Sequence, residues 1–119
     1  MGDSGRAILW VGDSRRNMAA FPREVRIEMG YALHEAQSGR KAACAKPMKG
    51  LGAGVMEIVA DHDGNAFRAV YAVKLGADIY VLHAFQKKSK RGIATPKAEI
   101  ELVRQRLKQV QALKRDRLR

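Results

Sequence analysis

The stretch HAFQKKSKRG, from His83 to Gly92, passes within a few residues from the end of an apolar run to Lys87, Lys88, Lys90 and Arg91. A second basic segment, KPMKG, supplies Lys46 and Lys49. Between the two lie Glu57, Arg68 and His83, with Phe85 beside the histidine. These types suit phosphate chemistry. Guanidinium and ammonium groups gather phosphates, and a histidine can take a catalytic role. Phe85 can stack on a base. Each residue also has a plainer reading. Glu57 and Arg68 can be a diagonal cross-strand ion pair. His83 can be a satisfied half-buried histidine, Phe85 a cover for the core's edge, and the basic run a solvated face.

The elements that must position these groups follow from periodicity. AILWV (Ala7 to Val11) reads as a first strand, stopped by GDS. Met18, Phe21, Val25, Met29, Leu33 and Ala36 recur at helical spacing, which predicts a helix over Pro22 to Ser38, with a turn of helix before it. Gly30 falls inside that helix, where a close approach to the sheet would explain it. Arg40 to Gly54 reads as a basic loop. Three strands follow, Val55 to Asp61, Ala66 to Leu75 and Asp78 to Gln86, joined at Asp63-Gly64 and Gly76-Ala77 by two-residue hairpin turns. Thr95 and Pro96 suit the start of a last helix, whose apolar stripe is Ile100, Val103, Leu107 and Val110. The expected fold is α+β, in the order β-α-β-β-β-α: one domain over residues 1–119, a small antiparallel sheet with helices on one face.

Those turns set a register. Arg68 falls opposite Val59 and Phe85, and Val70 opposite Glu57 and His83. Alternation then separates the faces. Met56, Ile58, Ala60, Phe67, Ala69, Tyr71, Val73, Tyr80, Leu82 and Ala84 form an apolar face for the helices. Glu57, Val59, Arg68, Val70, His83, Phe85 and Lys87 form the other, expected to be an open binding surface walled by the two basic segments. A slip of one residue would drive Arg68 and Glu57 into the core, which is costly.

Composition narrows the partner. The chain has 119 residues, with 23 Lys and Arg against 12 Asp and Glu, a formal charge of +11. Such an excess favours an anionic partner, nucleic acid first. A single Cys44 excludes an internal disulfide and a cysteine-rich zinc site, and suits the cytoplasm. His34, His62 and His83 have no metal-ligand spacing. No apolar run reaches the roughly 18 residues of a membrane span, and the first residues are too polar for a signal peptide. No phosphate-binding glycine loop, nucleophile elbow or dinucleotide fingerprint is present.

The series E…FRAVY…IYVLHAFQKKS…TPKAEIELVRQRL, with FPREVRIEMGYALHEAQSGR and KPMKGLG upstream, resembles the phage-derived HigB-like branch of the RelE/ParE toxin superfamily. The likeness runs from about Ile8 to Leu107. It implies a small sheet with helices on one side and an open concave face. It implies the toxin of a type II toxin–antitoxin pair, one that cuts mRNA on the ribosome using the RNA's own 2′-hydroxyl, without metal or cofactor. Arg68 resembles the strand arginine on the scissile phosphate. Lys87 and Lys88 resemble the basic residues ending the last strand, and Lys46 and Lys49 the basic loop before the sheet; Lys90 and Arg91 extend the rim. The implied partners are mRNA on the ribosome and a cognate antitoxin with a helix-turn-helix domain, with no membrane. Some members carry a tyrosine or histidine near the C-terminus, but nothing after Phe85 is aromatic or histidine here, so proton transfer falls to Glu57, His83 or a lysine. Two other functions fit parts of the pattern. One is a toxin that blocks gyrase or another target without cutting RNA. The other is a double-stranded-RNA-binding module, against which the first strand and the long basic loop argue.

Overall fold

The computed structural model describes residues 6–87 and 95–117, and side chains as far as residue 114. Strand β1 (Ile8–Trp10) leads to a short helix α1 (Ser14–Ala19) and a longer α2 (Arg23–Gln37). Strands β2 (Ala45–Pro47), β3 (Val55–His62), β4 (Asn65–Ala72) and β5 (Ile79–Lys87) follow, and α3 (Lys97–Arg117) closes the chain. They form one five-stranded sheet in the order β1-β5-β4-β3-β2. It is antiparallel except where β1 runs parallel to β5. The fold is α+β.

The first hairpin is as its sequence requires. His62 pairs with Asn65 across a two-residue turn. Asp63 (φ 50°) and Gly64 (φ 80°) both take the left-handed backbone that such a turn demands and that favours glycine. The register of β3 on β4 and of the far half of β5 is the expected one: Arg68 lies opposite Val59 and Phe85, and Val70 opposite Glu57 and His83.

The second hairpin differs. β4 ends at Ala72 and β5 begins at Ile79, so Gly76-Ala77 is not a two-residue turn between paired strands. Tyr71 pairs with Val81 and Ala72 with Tyr80, one residue out of step with the pairs beyond. This bulge at Leu82 shifts the near half of β5. Ile79 and Val81, rather than Tyr80 and Leu82, therefore share the face of Ala69, Tyr71 and Ala84.

That face is covered by α1 and α2 through Met18, Phe21, Val25, Met29, Leu33 and Ala36. Fully burying each large side chain is worth about 1.5–3 kcal/mol, so this layer is the main source of stability. The helices do not all lie there. Val103, Leu107 and Val110 of α3 pack on Val55, Val70, Ala72, Tyr80 and Leu82, on the opposite face. The bulge makes this possible: Tyr80 and Leu82, turned through the sheet, supply part of the apolar ground on which α3 sits. The basic loop also has structure, for β2 pairs antiparallel with β3 and sets Lys46 opposite Glu57. Gly30 has nothing within 4 Å of where a Cβ would stand, so no close helix–sheet contact explains it. Among the described residues, no helix is long and apolar enough to cross a membrane.

Candidate active site

Alternation along three adjacent strands gathers Glu57 of β3, Arg68 of β4, and His83, Phe85 and Lys87 of β5 on one face. The pairs Arg68–Phe85, Val70–His83 and Glu57–Val70 fix this arrangement. Arg68 Nη1 donates to Glu57 Oε2 at 3.1 Å, the diagonal contact of residues two positions out of direct opposition. The His83 and Phe85 rings stack with centroids 5.0 Å apart and planes 24° from parallel.

This face is covered rather than open. Glu57, Arg68, His83, Phe85 and Lys87 are each less than a tenth exposed. Because α3 lies on their side of the sheet, its first turns reach into the cluster. Glu99 Oε1 accepts from His83 Nε2 at 2.6 Å. Thr95 does not cap the helix with its hydroxyl; it donates to Glu57 Oε2 at 2.8 Å. Further along α3, Arg106 donates to the Leu82 carbonyl at 2.9 Å and to Asp13 Oδ1 at 2.9 Å, and its Nη1 lies 3.5 Å from His83 Nδ1. A guanidinium only donates, so Nδ1 is the acceptor and the imidazole proton sits on Nε2, facing Glu99. Glu57 thus orients Arg68, and Glu99 with Arg106 fixes the ring of His83.

Two pKa displacements mark the site. Lys87 is pushed below the usual lysine range, by desolvation first and then by the charge of Arg68, against a smaller opposing pull from Glu57. Asp13 is held below the usual aspartate range, chiefly by its hydrogen bond from Arg106.

Lys46 and Lys49 stand exposed on and after β2, at the opposite side of the sheet from β1. Lys88, Lys90 and Arg91 lie outside the described residues. The structure therefore unites Glu57, Arg68, His83, Phe85 and Lys87, and adds four residues that sequence reasoning missed: Asp13, Thr95, Glu99 and Arg106. Thr95 is marked in the sequence only as a helix-start residue. Nothing local marks Arg106, which reaches its partners because helical spacing puts it near the apolar stripe of α3. Among the described residues, no group of His, Cys, Asp and Glu could hold a metal ion.

A family model described as phage-derived protein Gp49-like (DUF891) matches residues 16–108, most of the chain. The chain belongs to the Gp49-like family. The match takes in α1 from its third residue, the whole sheet except β1, and α3 through Lys108, and hence every site residue except Asp13. The Gp49-like family is of the RelE/ParE toxin type, in agreement with the resemblance carried by the motifs. Neither the curated proteins nor the solved structures searched gave a match to this Gp49-like chain.

Proposed function

We propose that this Gp49-like protein is the toxin of a type II toxin–antitoxin pair, of the HigB-like branch, and that it cuts mRNA on the ribosome without a metal. The observation that carries the reading is the convergence of Arg68 on β4 with His83 and Lys87 on β5, beside Glu57 of β3. Cleavage by the RNA's own 2′-hydroxyl needs three things: a base for that hydroxyl, cations for the phosphate, and a proton for the departing 5′-oxygen. Lys87, whose ammonium is destabilised by burial and by Arg68, suits the base. Arg68, always protonated, suits the phosphate. His83, with its proton on Nε2, suits the donor. The 2′-oxygen attacks phosphorus as its proton passes to Lys87. A 2′,3′-cyclic phosphate forms as the bond to the 5′-oxygen breaks, and that oxygen takes the proton from His83.

Burial adds a condition. Arg68 and Lys87 are only 5% and 6% exposed, so the face must open before RNA can reach them. The first test is growth arrest on induced expression. Arg68→Lys, checked by circular dichroism to be folded, should lose the arrest, because an ammonium cannot reproduce a guanidinium fork on phosphate. A folded Arg68→Lys protein that arrests growth as the parent does would refute this site.

A further inference from the structure

Beside the buried cluster lies an accessible cleft of about 680 Å³, between the end of α1, the β3–β4 turn and the end of β5. It shares His83, Phe85 and Glu99 with the cluster. Aromatic rings border it on both faces of the sheet: the stacked His83–Phe85 pair on the α3 face, and Phe21 against Phe67, with centroids 5.0 Å apart, on the face of α1 and α2. Its remaining lining is rich in planar hydrogen-bonding groups, the amides of Asn17, Asn65 and Gln86 and the carboxylates of Asp63 and Glu99. Asn17 already donates its Nδ2 to the Ala84 carbonyl, which leaves its oxygen to accept. The Asn65 and Gln86 amides make no hydrogen bond among the described residues, although Gln86 is exposed at the edge of the sheet.

The cleft is reachable because β1 pairs with β5 only as far as Val81. Beyond that point α1 replaces the missing strand, with Ser14 Oγ on the Val81 carbonyl and Asn17 on the Ala84 carbonyl. Past Asn17 no strand or helix among the described residues pairs with this edge of β5.

Aromatic faces beside amide and carboxylate groups are the surroundings that recognise a nucleobase. The lining offers acceptors in the Asp63 and Glu99 carboxylates and the Asn17 oxygen, and donors in the His62 ring and the Asn65 and Gln86 amides. Carboxylates take hydrogen bonds from an exocyclic amino group, and they repel phosphate. We propose that this cleft seats an amino-bearing nucleobase (adenine, cytosine or guanine, in preference to uracil) of the RNA whose phosphate lies at Arg68 and Lys87. The proposal rests on the ribonuclease reading for the identity of the ligand, but its test does not.

The test is an NMR titration of the full chain with CMP, AMP, GMP, UMP and ribose 5-phosphate, following the side-chain amide signals of Asn65 and Gln86. The amino-bearing nucleotides should shift both signals, with UMP weaker by about fivefold or more and ribose 5-phosphate without effect there. Gln86→Ala, an exposed position outside the reacting groups, should weaken the binding of those nucleotides severalfold. Equal response to UMP, a response to ribose 5-phosphate, or no shift with any nucleotide would overturn the proposal. Base-dependent shifts in a protein that cuts no RNA would sink the ribonuclease reading and leave the cleft standing. Cleavage without any base-dependent shift would do the reverse.

Discussion

Arg68 and Glu57 meet at 3.1 Å on neighbouring strands, with side chains only 7% and 5% exposed. Glu57 also takes the Thr95 hydroxyl, so one carboxylate joins β3, β4 and the approach to α3. Removing one member of a buried pair strands the other charge, at a cost of about 3–5 kcal/mol, whereas replacing both with apolar groups of similar size is often much cheaper. Denaturant unfolding should show Glu57→Leu and Arg68→Met each strongly destabilised, and the double variant more stable than either. Additive losses would show that the two charges do not depend on each other.

Gly30 lies on the exposed side of α2 with open space where a Cβ would stand. Glycine inside a helix costs roughly 0.5–1 kcal/mol relative to alanine. Gly30→Ala should therefore raise the melting temperature and leave growth arrest unchanged. A loss of stability would mean that α2 needs its glycine for a reason other than packing.

Most of the sheet was legible because its information is local. Asp63-Gly64 fixes one hairpin and places Glu57 and Arg68 on a common face; His83 and Phe85 join them in the register expected from Gly76-Ala77, although that segment is not a two-residue turn. The bulge at Leu82 was not legible, because the apolar run DIYVLHAF satisfies either face and only packing against α3 decides between them. The position of α3 was hidden for the same reason. Its apolar stripe says that it is buried on one side, not which face of the sheet it covers. With α3 misplaced, a covered cluster reads as an open one, and the partners it supplies, Thr95, Glu99 and Arg106, go unseen.

Arg106 holds Asp13 at 2.9 Å and keeps its carboxyl below the ordinary aspartate value of 3.8. A carboxylate with a lowered folded pKa stabilises the fold above its unfolded value, and that contribution is lost as pH falls through the folded value. Asp13 is partly exposed, so solvent screening makes the effect small. Asp13→Asn should be modestly less stable than the parent at neutral pH, and the two should converge below about pH 4 in acid unfolding curves. A constant gap between the curves would exclude the ion pair as the cause.

Gly12 has φ 58°, and a Cβ there would stand 2.6 Å from the Arg106 guanidinium. Left-handed backbone costs a residue with a side chain about 1–2 kcal/mol. Gly12→Ala should lower stability by at least that amount and displace Arg106 from His83, visible as a shifted His83 ring resonance. An unmoved resonance would mean that Arg106 does not hold the ring.

Lys87 has its pKa lowered by desolvation and by Arg68. Its unfolded form binds the proton more tightly, so the Lys87 contribution raises stability as pH climbs from the folded pKa toward the ordinary lysine value of about 10.4. As the base, Lys87 must be neutral, so cleavage of bound mRNA should speed up with pH until that folded pKa is passed. Lys87→Arg keeps the positive charge but cannot give up its proton near neutrality, and it should cut RNA at least about a hundredfold more slowly. Parent-like cleavage by Lys87→Arg would remove Lys87 from the role of base.

Primer extension of cellular mRNA after brief induced expression tests the ribonuclease reading most directly. The expected result is a set of new 5′ ends in phase with codons, which vanish when translation initiation is blocked and do not form with Arg68→Lys. Growth arrest with mRNA intact would contradict it, and would point to a toxin that acts by binding alone.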